Sequence, residues 1–149
     1  MKSKFCKLYI LGAVICVGGL LASCEKEADQ WLQDNFEVIG NIPAIASFNT
    51  TPAVTEVVAG TTVKLDLRYW SKDPIDKINL NAKVGSEVKQ TVSSTAYQAA
   101  YSKVSKTDSL ILEYAVPAGL AKGVAIELEA EIINKTALKN ASKLTVKIK

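Results

Sequence analysis

No histidine occurs in the 149 residues. That absence removes the commonest general base, the Ser-His-Asp triad and most zinc sites together. A C-x-x-C pair, a phosphate-cradling glycine loop and a dinucleotide fingerprint are missing too. Cysteine is scarce and misplaced for cross-linking: Cys6, Cys16 and Cys24 all fall in the first 24 residues, so the rest of the chain has no disulfide and is held by its core alone. An excess of charge is also lacking. There are 18 Lys plus Arg against 15 Asp plus Glu, but Lys2, Lys4 and Lys7 sit in the N-terminal segment, and the remainder is balanced. A balanced surface has no basic footprint for nucleic acid. Carboxylate pairs could still serve glycoside hydrolysis, yet the acids lie on alternating positions of strand-like runs or in turns, as solvated charges do. The expectation is a protein that is not an enzyme, with no catalytic residue, metal or cofactor.

What is present begins with an address. Residues 1–7 are basic without an acid, and residues 8–21 are apolar or glycine apart from Cys16. This run is well short of the roughly 20 residues that span a bilayer, and the small residues Ala22 and Ser23 close it as a processing site does. Residues 1–23 therefore read as a signal peptide. Its end, Leu21-Ala22-Ser23-Cys24, runs straight into cysteine and resembles the lipobox of bacterial lipoproteins. The resemblance implies cleavage before Cys24, a diacylglycerol on its sulfur and further acylation, palmitate included, at the new amino group. The implied partner is membrane lipid. Each buried methylene contributes roughly 0.8 kcal/mol, so two or three chains anchor durably where one is marginal. Glu25, Lys26 and Glu27, with Ala28 and Asp29 after them, resemble the export signal of Bacteroidota-type surface lipoproteins, although Lys26 and Ala28 interrupt the acidic pattern. That implies an outer-membrane, surface-exposed lipoprotein; a periplasm-facing one is the alternative.

Residues 24–43 form the lipidated tether. Ala28, Trp31, Leu32, Phe36 and Ile39 recur at helical spacing, which leaves two readings: a short amphipathic helix resting on a membrane or partner, or a tether partly ordered against the domain. The acidic opposite face favours the tether. Gly40 to Pro43 marks the boundary of a domain over residues 44–149.

Within that domain the period changes to two. Val54 to Val58 is a short candidate strand. Val63, Leu65, Leu67 and Tyr69 alternate with Lys64, Asp66, Arg68 and Trp70, and Ile78, Leu80, Ala82 and Val84 with Lys77, Asn79, Asn81 and Lys83. One face is core and one is wet. Glu87 to Val92 reads as a brief strand, while residues 93–107 are polar, with Tyr97 and Tyr101 four apart; a turn of helix and a long loop are both open. Leu110 to Val116, Val124 to Ile132 and a last strand from about Lys143 complete the pattern. If the final two strands pair across residues 134–142, the row Glu127, Glu129 and Glu131 faces the row Lys143, Lys147 and Lys149, and each opposite pair contributes roughly 0.2 to 1 kcal/mol.

About seven short strands with one wet face each imply an all-β protein of two antiparallel sheets. The strand pattern resembles the immunoglobulin-like and fibronectin type III-like β-sandwich modules of Bacteroidota-type surface lipoproteins. That likeness implies an accessory binding module capturing glycan at the outer membrane, or alternatively a structural or adhesive module that meets an outer-membrane protein. Trp70, on the wet face, with Tyr97, Tyr101 and Arg68 is the candidate ligand-binding set, because sugar rings stack their C–H faces on aromatic rings; Asp66 and Gln98 are neighbouring hydrogen-bonders. Asp108-Ser109-Leu110 resembles a bacterial O-glycosylation acceptor. Asn49-Thr50-Thr51, Asn134-Lys135-Thr136 and Asn140-Ala141-Ser142 match the N-glycosylation pattern, which the bacterial address discounts.

The address carries its own test. Cys24→Ala is expected to abolish metabolic lipid labelling and leave an unprocessed precursor or a mislocalised soluble form; unchanged labelling would remove the lipobox reading.

Overall fold

The computed structural model describes residues 40–149. The signal segment, the lipobox Leu21, Ala22, Ser23 and Cys24, the export residues Glu25, Lys26 and Glu27, and the apolar positions from Ala28 to Ile39 lie outside the described residues.

The alternating runs fold into nine strands among the described residues: β1 (Ala44–Thr51), β2 (Glu56–Val57), β3 (Thr62–Trp70), β4 (Ile75–Val84), β5 (Gln90–Ala96), β6 (Tyr101–Ser102), β7 (Thr107–Ala115), β8 (Ala125–Asn134) and β9 (Lys139–Ile148). Seven are long and two have only two residues. They form a four-stranded sheet, β1-β3-β7-β6, and a five-stranded sheet, β2-β9-β8-β4-β5. Every pairing is antiparallel except β2 with β9. With β2 as the continuation of β1 and β5 as an added strand beside β4, β1-β3-β7-β6 follows the ABED order and β9-β8-β4 the GFC order of the immunoglobulin-like sandwich. The all-β expectation holds.

The core lies between the sheets and is built from the alternating residues. Leu65, Leu67 and Tyr69 of β3 meet Leu112 and Tyr114 of β7 in one layer; Ile78 and Leu80 of β4, Ile126, Leu128, Ala130 and Ile132 of β8 and Val146 and Ile148 of β9 fill the other. Each large side chain so buried contributes about 1.5–3 kcal/mol, and no disulfide shares that task in this part of the chain.

Three local expectations are corrected. The strand expected over Glu87 to Val92 begins three residues later: Gly85, Ser86 and Glu87 turn the chain, with the Glu87 N–H donating to Val84 O at 3.0 Å, and β5 begins at Gln90. Neither a helix nor a single long loop spans residues 93–107, because β5 runs on to Ala96 and β6 follows at Tyr101. As the outermost strand of its sheet, β5 has little of either face buried, so its hydroxyl-rich sequence shows no alternation. Last, β9 starts at Lys139 rather than near Lys143, since the hairpin from β8 closes over residues 135–138.

Asn134 closes that hairpin. Its Oδ1 accepts from Thr136 N (3.2 Å), Thr136 Oγ1 (2.8 Å) and Leu138 N (2.8 Å), while its Nδ2 donates to Asn41 O at 2.8 Å. Asn140 Nδ2 likewise donates to Pro43 O at 2.9 Å. Two of the three Asn-x-Ser/Thr matches are therefore turn and entry contacts, and Asn134 is only 1% exposed. The entering chain is gripped a third time by Asp73, which accepts from both the backbone N–H and the Nδ2 of Asn41. Gly40 makes this approach possible: its φ is +141°, and a Cβ there would meet Asp73 Oδ2 at 2.8 Å and Thr136 Oγ1 at 3.1 Å.

Asn134→Ala leaves three part-buried donors and one carbonyl without this partner, each worth up to about 1–3 kcal/mol where water cannot replace it. We expect a loss of about 2–4 kcal/mol in urea unfolding; a loss under about 1 kcal/mol would show that the turn closes without this side chain.

Candidate functional site

The sandwich offers two outer faces. On the five-stranded sheet the outward residues of β5, β4, β8 and β9 come into register across four strands. Asn81 sits opposite both Thr91 and Glu129, and Glu129 sits opposite Lys143. The side chains bond along that line: Thr91 Oγ1 donates to Asn81 Oδ1 (2.8 Å), Asn81 Nδ2 donates to Glu129 Oε1 (3.1 Å), and Lys143 Nζ reaches Glu129 Oε2 (3.5 Å) and Glu127 Oε1 (2.9 Å). Lys89, just before β5, folds over to donate to Glu129 Oε1 at 2.6 Å. A second rung repeats the chemistry two residues along. Ser94 Oγ donates to Asn79 Oδ1 (2.8 Å), Asn79 Nδ2 to Glu131 Oε2 (3.2 Å), and Lys139 Nζ lies 2.9 Å from Glu131 Oε1.

This hydroxyl–amide–carboxylate–amine ladder is the acidic row facing a basic row, extended by two strands. Lys147 departs from the expected pairing: it lies opposite Ala125 and Glu56. The lysines cover their acids so well that the Glu129 side chain is only 6% exposed. Burial pushes the Glu129 pKa up, but hydrogen bonds from Lys89 and Asn81 and the charges of Lys89 and Lys143 outweigh it, and the carboxyl is held below the ordinary value of 4.5. Glu131 is also lowered, first by Lys139; Lys139 and Lys143 are raised by Glu131 and Glu127 respectively. The carboxylates of this face are engaged with the protein itself.

The four-stranded sheet is different. Asp66, Arg68 and Trp70 project in a row from the outer face of β3. Arg68 Nε and Nη2 both donate to Asp66 Oδ2 at 3.2 Å, while Asp66 Oδ1 is buried with no hydrogen-bond partner among the described residues. Asn49 of β1 and Ile111 of β7 flank Asp66, and Ser109 flanks Arg68. Trp70 is 47% exposed and stands opposite Ala44 on β1, whereas the pairing of β3 with β7 ends one residue short of it, at Tyr69. A small neighbour on one side and none on the other leave the indole open.

The tyrosines do not join this row. Tyr97 packs edge-on against the buried Tyr69, with ring centroids 6.5 Å apart and planes at 74°, and donates its hydroxyl to Asp108 Oδ2 at 3.3 Å. Tyr101 lies directly across from Asp108, as does Tyr69 from the other side. Directly opposed residues share a face, so Tyr101 belongs with Asp108 and Tyr69, away from Trp70. The expected four-residue set is thus split into Arg68 and Trp70 on the outer face and Tyr97 and Tyr101 at the side of the sandwich. Asp108 organises the latter group by accepting from Ala100 N at 2.8 Å as well. Burial first, then the charges of Asp108 and Tyr97, push the Tyr69 hydroxyl up to about 12. The Asp66 to Ser109 neighbourhood was missed as a group because Ser109 and Asn49 are distant in sequence; the strand alternation around Arg68 was the signal for its β3 half. Among the described residues no three acids, histidines or cysteines converge as metal ligands.

No protein-family model matches the chain, and no curated protein matches its sequence. Among solved structures the chain is similar to the crystal structure of a Niemann-Pick type C2 protein from Japanese carpenter ant, with 10% identity, 74% of this chain and 93% of that chain covered, and a TM-score of 0.43.

The ladder predicts a two-sided pH profile. Glu129 and Glu131, lowered in the fold, contribute stability that is full above 4.5 and lost as pH falls through their folded values. Lys139, Lys143 and Tyr69 are raised, so their contribution is full below 10.5 for the lysines and 10.0 for the tyrosine, and lost as pH rises through the folded values, about 12 for Tyr69. The urea midpoint should be flat between these limits and fall on both sides, with a shallower acid limb in Glu129→Gln. An acid limb unchanged by that substitution would place the acid sensitivity elsewhere.

Proposed function

We propose that this chain is a non-catalytic, lipid-anchored lipoprotein of a bacterial cell envelope, held at the outer membrane through acylated Cys24 and displayed on the surface, whose sandwich captures glycan. The observation that carries the glycan reading is the row Trp70, Arg68 and Asp66 on the open face of the four-stranded sheet. Alternate residues of a strand lie about 6.7 Å apart, so the row presents a stacking ring, a cation and a carboxylate over a length suited to a short oligosaccharide. Trp70 would take the C–H face of one sugar ring, and Arg68, Asp66 and Ser109 would take hydroxyls of the next. Aromatic stacking supplies orientation here and the polar groups supply choice.

The anchor rests on the order of charge, apolar run, small residues and Cys24. Surface display rests on Glu25, Lys26 and Glu27; a periplasm-facing position keeps the same anchor. A second reading, a structural or adhesive module that meets another protein, is favoured by β5, the outermost strand of the five-stranded sheet, whose edge carries no partner strand among the described residues.

A glycan array with the full chain in detergent tests the first reading, run beside Trp70→Ala. Saturable binding should appear and weaken at least about tenfold, roughly 1.4 kcal/mol, when the ring is removed. Tyr101→Ala, a change outside the row, should leave it intact. Silence from the folded protein, or equal binding by the Trp70 variant, would remove the glycan reading and shift weight to a protein partner.

A further inference from the structure

One end of the sandwich gathers the entry of the chain and several of its connections. Ala44 lies opposite Trp70, Tyr69 and Tyr101 both lie opposite Asp108, and Ile75 lies opposite Asn134. Residues 40–43, 71–74, 97–100, 103–106 and 135–138 therefore all lie beyond the same ends of the two sheets. The grip of Asp73 and Asn134 on Asn41 fixes where the chain enters. The segment that leads back to Cys24 leaves from here, and from Cys24 to Gly40 it reaches at most roughly 55 Å even when fully extended.

This end is apolar at its tips and basic around them. Val104 is 96% exposed, Ile42 63% and Tyr101 54%. The turn that carries Val104 is held in shape: the Lys106 N–H donates to Ser102 O at 2.8 Å, and Thr107 Oγ1 donates to Ser105 Oγ at 2.9 Å. Lys106 takes a φ of +54° to close it. A valine is thus held out between Lys103 and Lys106 with no core to fill. Lys72, Lys103, Lys106 and Lys135 are exposed in these connections, and none of them belongs to an ion pair among the described residues. Of the acids beside them, Asp73 is bonded to Asn41 and Asp108 is buried, which leaves Asp76 exposed at the start of β4. The far end differs. Val54, Val58 and Val88 are exposed there without an exposed aromatic residue, and Glu56 and Glu87 stand against Lys122 and Lys149.

We infer that the end carrying Val104 rests on the anionic headgroup layer of the membrane that holds Cys24. The inference depends on the acylated Cys24 proposed above. Val104, Tyr101 and Ile42 enter the headgroup region, and the four lysines meet lipid phosphate. Tyrosine suits the boundary between water and acyl chains, and lysines close to an anionic leaflet are drawn to it. A lipid surface also meets several separate turns at once, as a ligand in a pocket does not. With this end on the lipid the sheets stand upright, and the row from Asp66 to Trp70 remains open to the side.

The test uses the full lipidated chain in vesicles of phosphatidylglycerol and phosphatidylcholine that carry a nitroxide-labelled lipid. A fluorophore is attached through Val104→Cys or, at the far end, through Val88→Cys, where the valine is 80% exposed. Flotation with the vesicles reports the anchor, and quenching reports which end meets lipid. Quenching at position 104 should exceed that at position 88 at least about threefold. That excess should fall by about half or more in Lys103→Glu combined with Lys135→Glu, in phosphatidylcholine alone and in high salt. A chain that floats but is quenched equally at the two positions, or more at position 88, overturns the inference and leaves the anchor standing. An excess untouched by the lysine changes and by salt overturns the anionic contact. A chain that does not float removes the anchor and this inference with it.

Discussion

The Glu129 carboxylate is buried on the wrong side of its sheet, and much of the architecture follows from what that requires. A desolvated charge is tolerated only when paired and hydrogen-bonded. Here the requirement is met by Asn81 from one neighbouring strand, Lys143 from the other, and Lys89 folding over from beyond. Each of those contacts exists only in one register. A one-residue slip of β4 or β9 would send the partners into the core and strand the carboxylate. The core alone is less particular, since Leu, Ile and Val on two facing sheets tolerate exchange of one apolar neighbour for another. The polar ladder therefore contributes specificity of pairing where the core contributes most of the stability.

The ladder also divides the labour between the two faces. Donors and acceptors on the five-stranded sheet are spent on one another, and Thr91, Asn81, Glu129 and Lys143 form a closed line. On the four-stranded sheet the row from Asp66 to Trp70 is left with an open ring. The proposed glycan site lies on the face whose ring stands open.

Alternation was legible wherever a strand had one face in the core and one in water, as in β3, where every residue from Val63 to Trp70 lies on the side its spacing indicates. It failed for β5, an edge strand with little of either face buried, and just beyond it the spacing of Tyr97 and Tyr101 mimicked a helix. The lysine and glutamate half of the ladder was legible because charge patterns survive in sequence. Its other half was not, since Asn79, Asn81, Thr91 and Ser94 look like ordinary solvent-facing residues until strand order places them side by side. Asn134 and Asn140 show the same limit: a pattern that reads as a modification signal is, in the fold, a turn and an entry latch. The candidate site was half visible for a related reason, because strand parity located Trp70 and Arg68 but nothing in the sequence assigned the tyrosines to a face.

The ladder, rather than burial, governs Glu129. The most direct measurement is the ¹³C-detected titration of the Glu129 side-chain carboxyl in the folded protein, repeated in Lys89→Met. The midpoint should lie below 4.5 and move upward when the Lys89 amine is removed. A midpoint above 4.5, insensitive to Lys89, would contradict it: burial would then dominate, the carboxyl would be protonated near neutrality's acid side, and the register of the five-stranded sheet would need another cause.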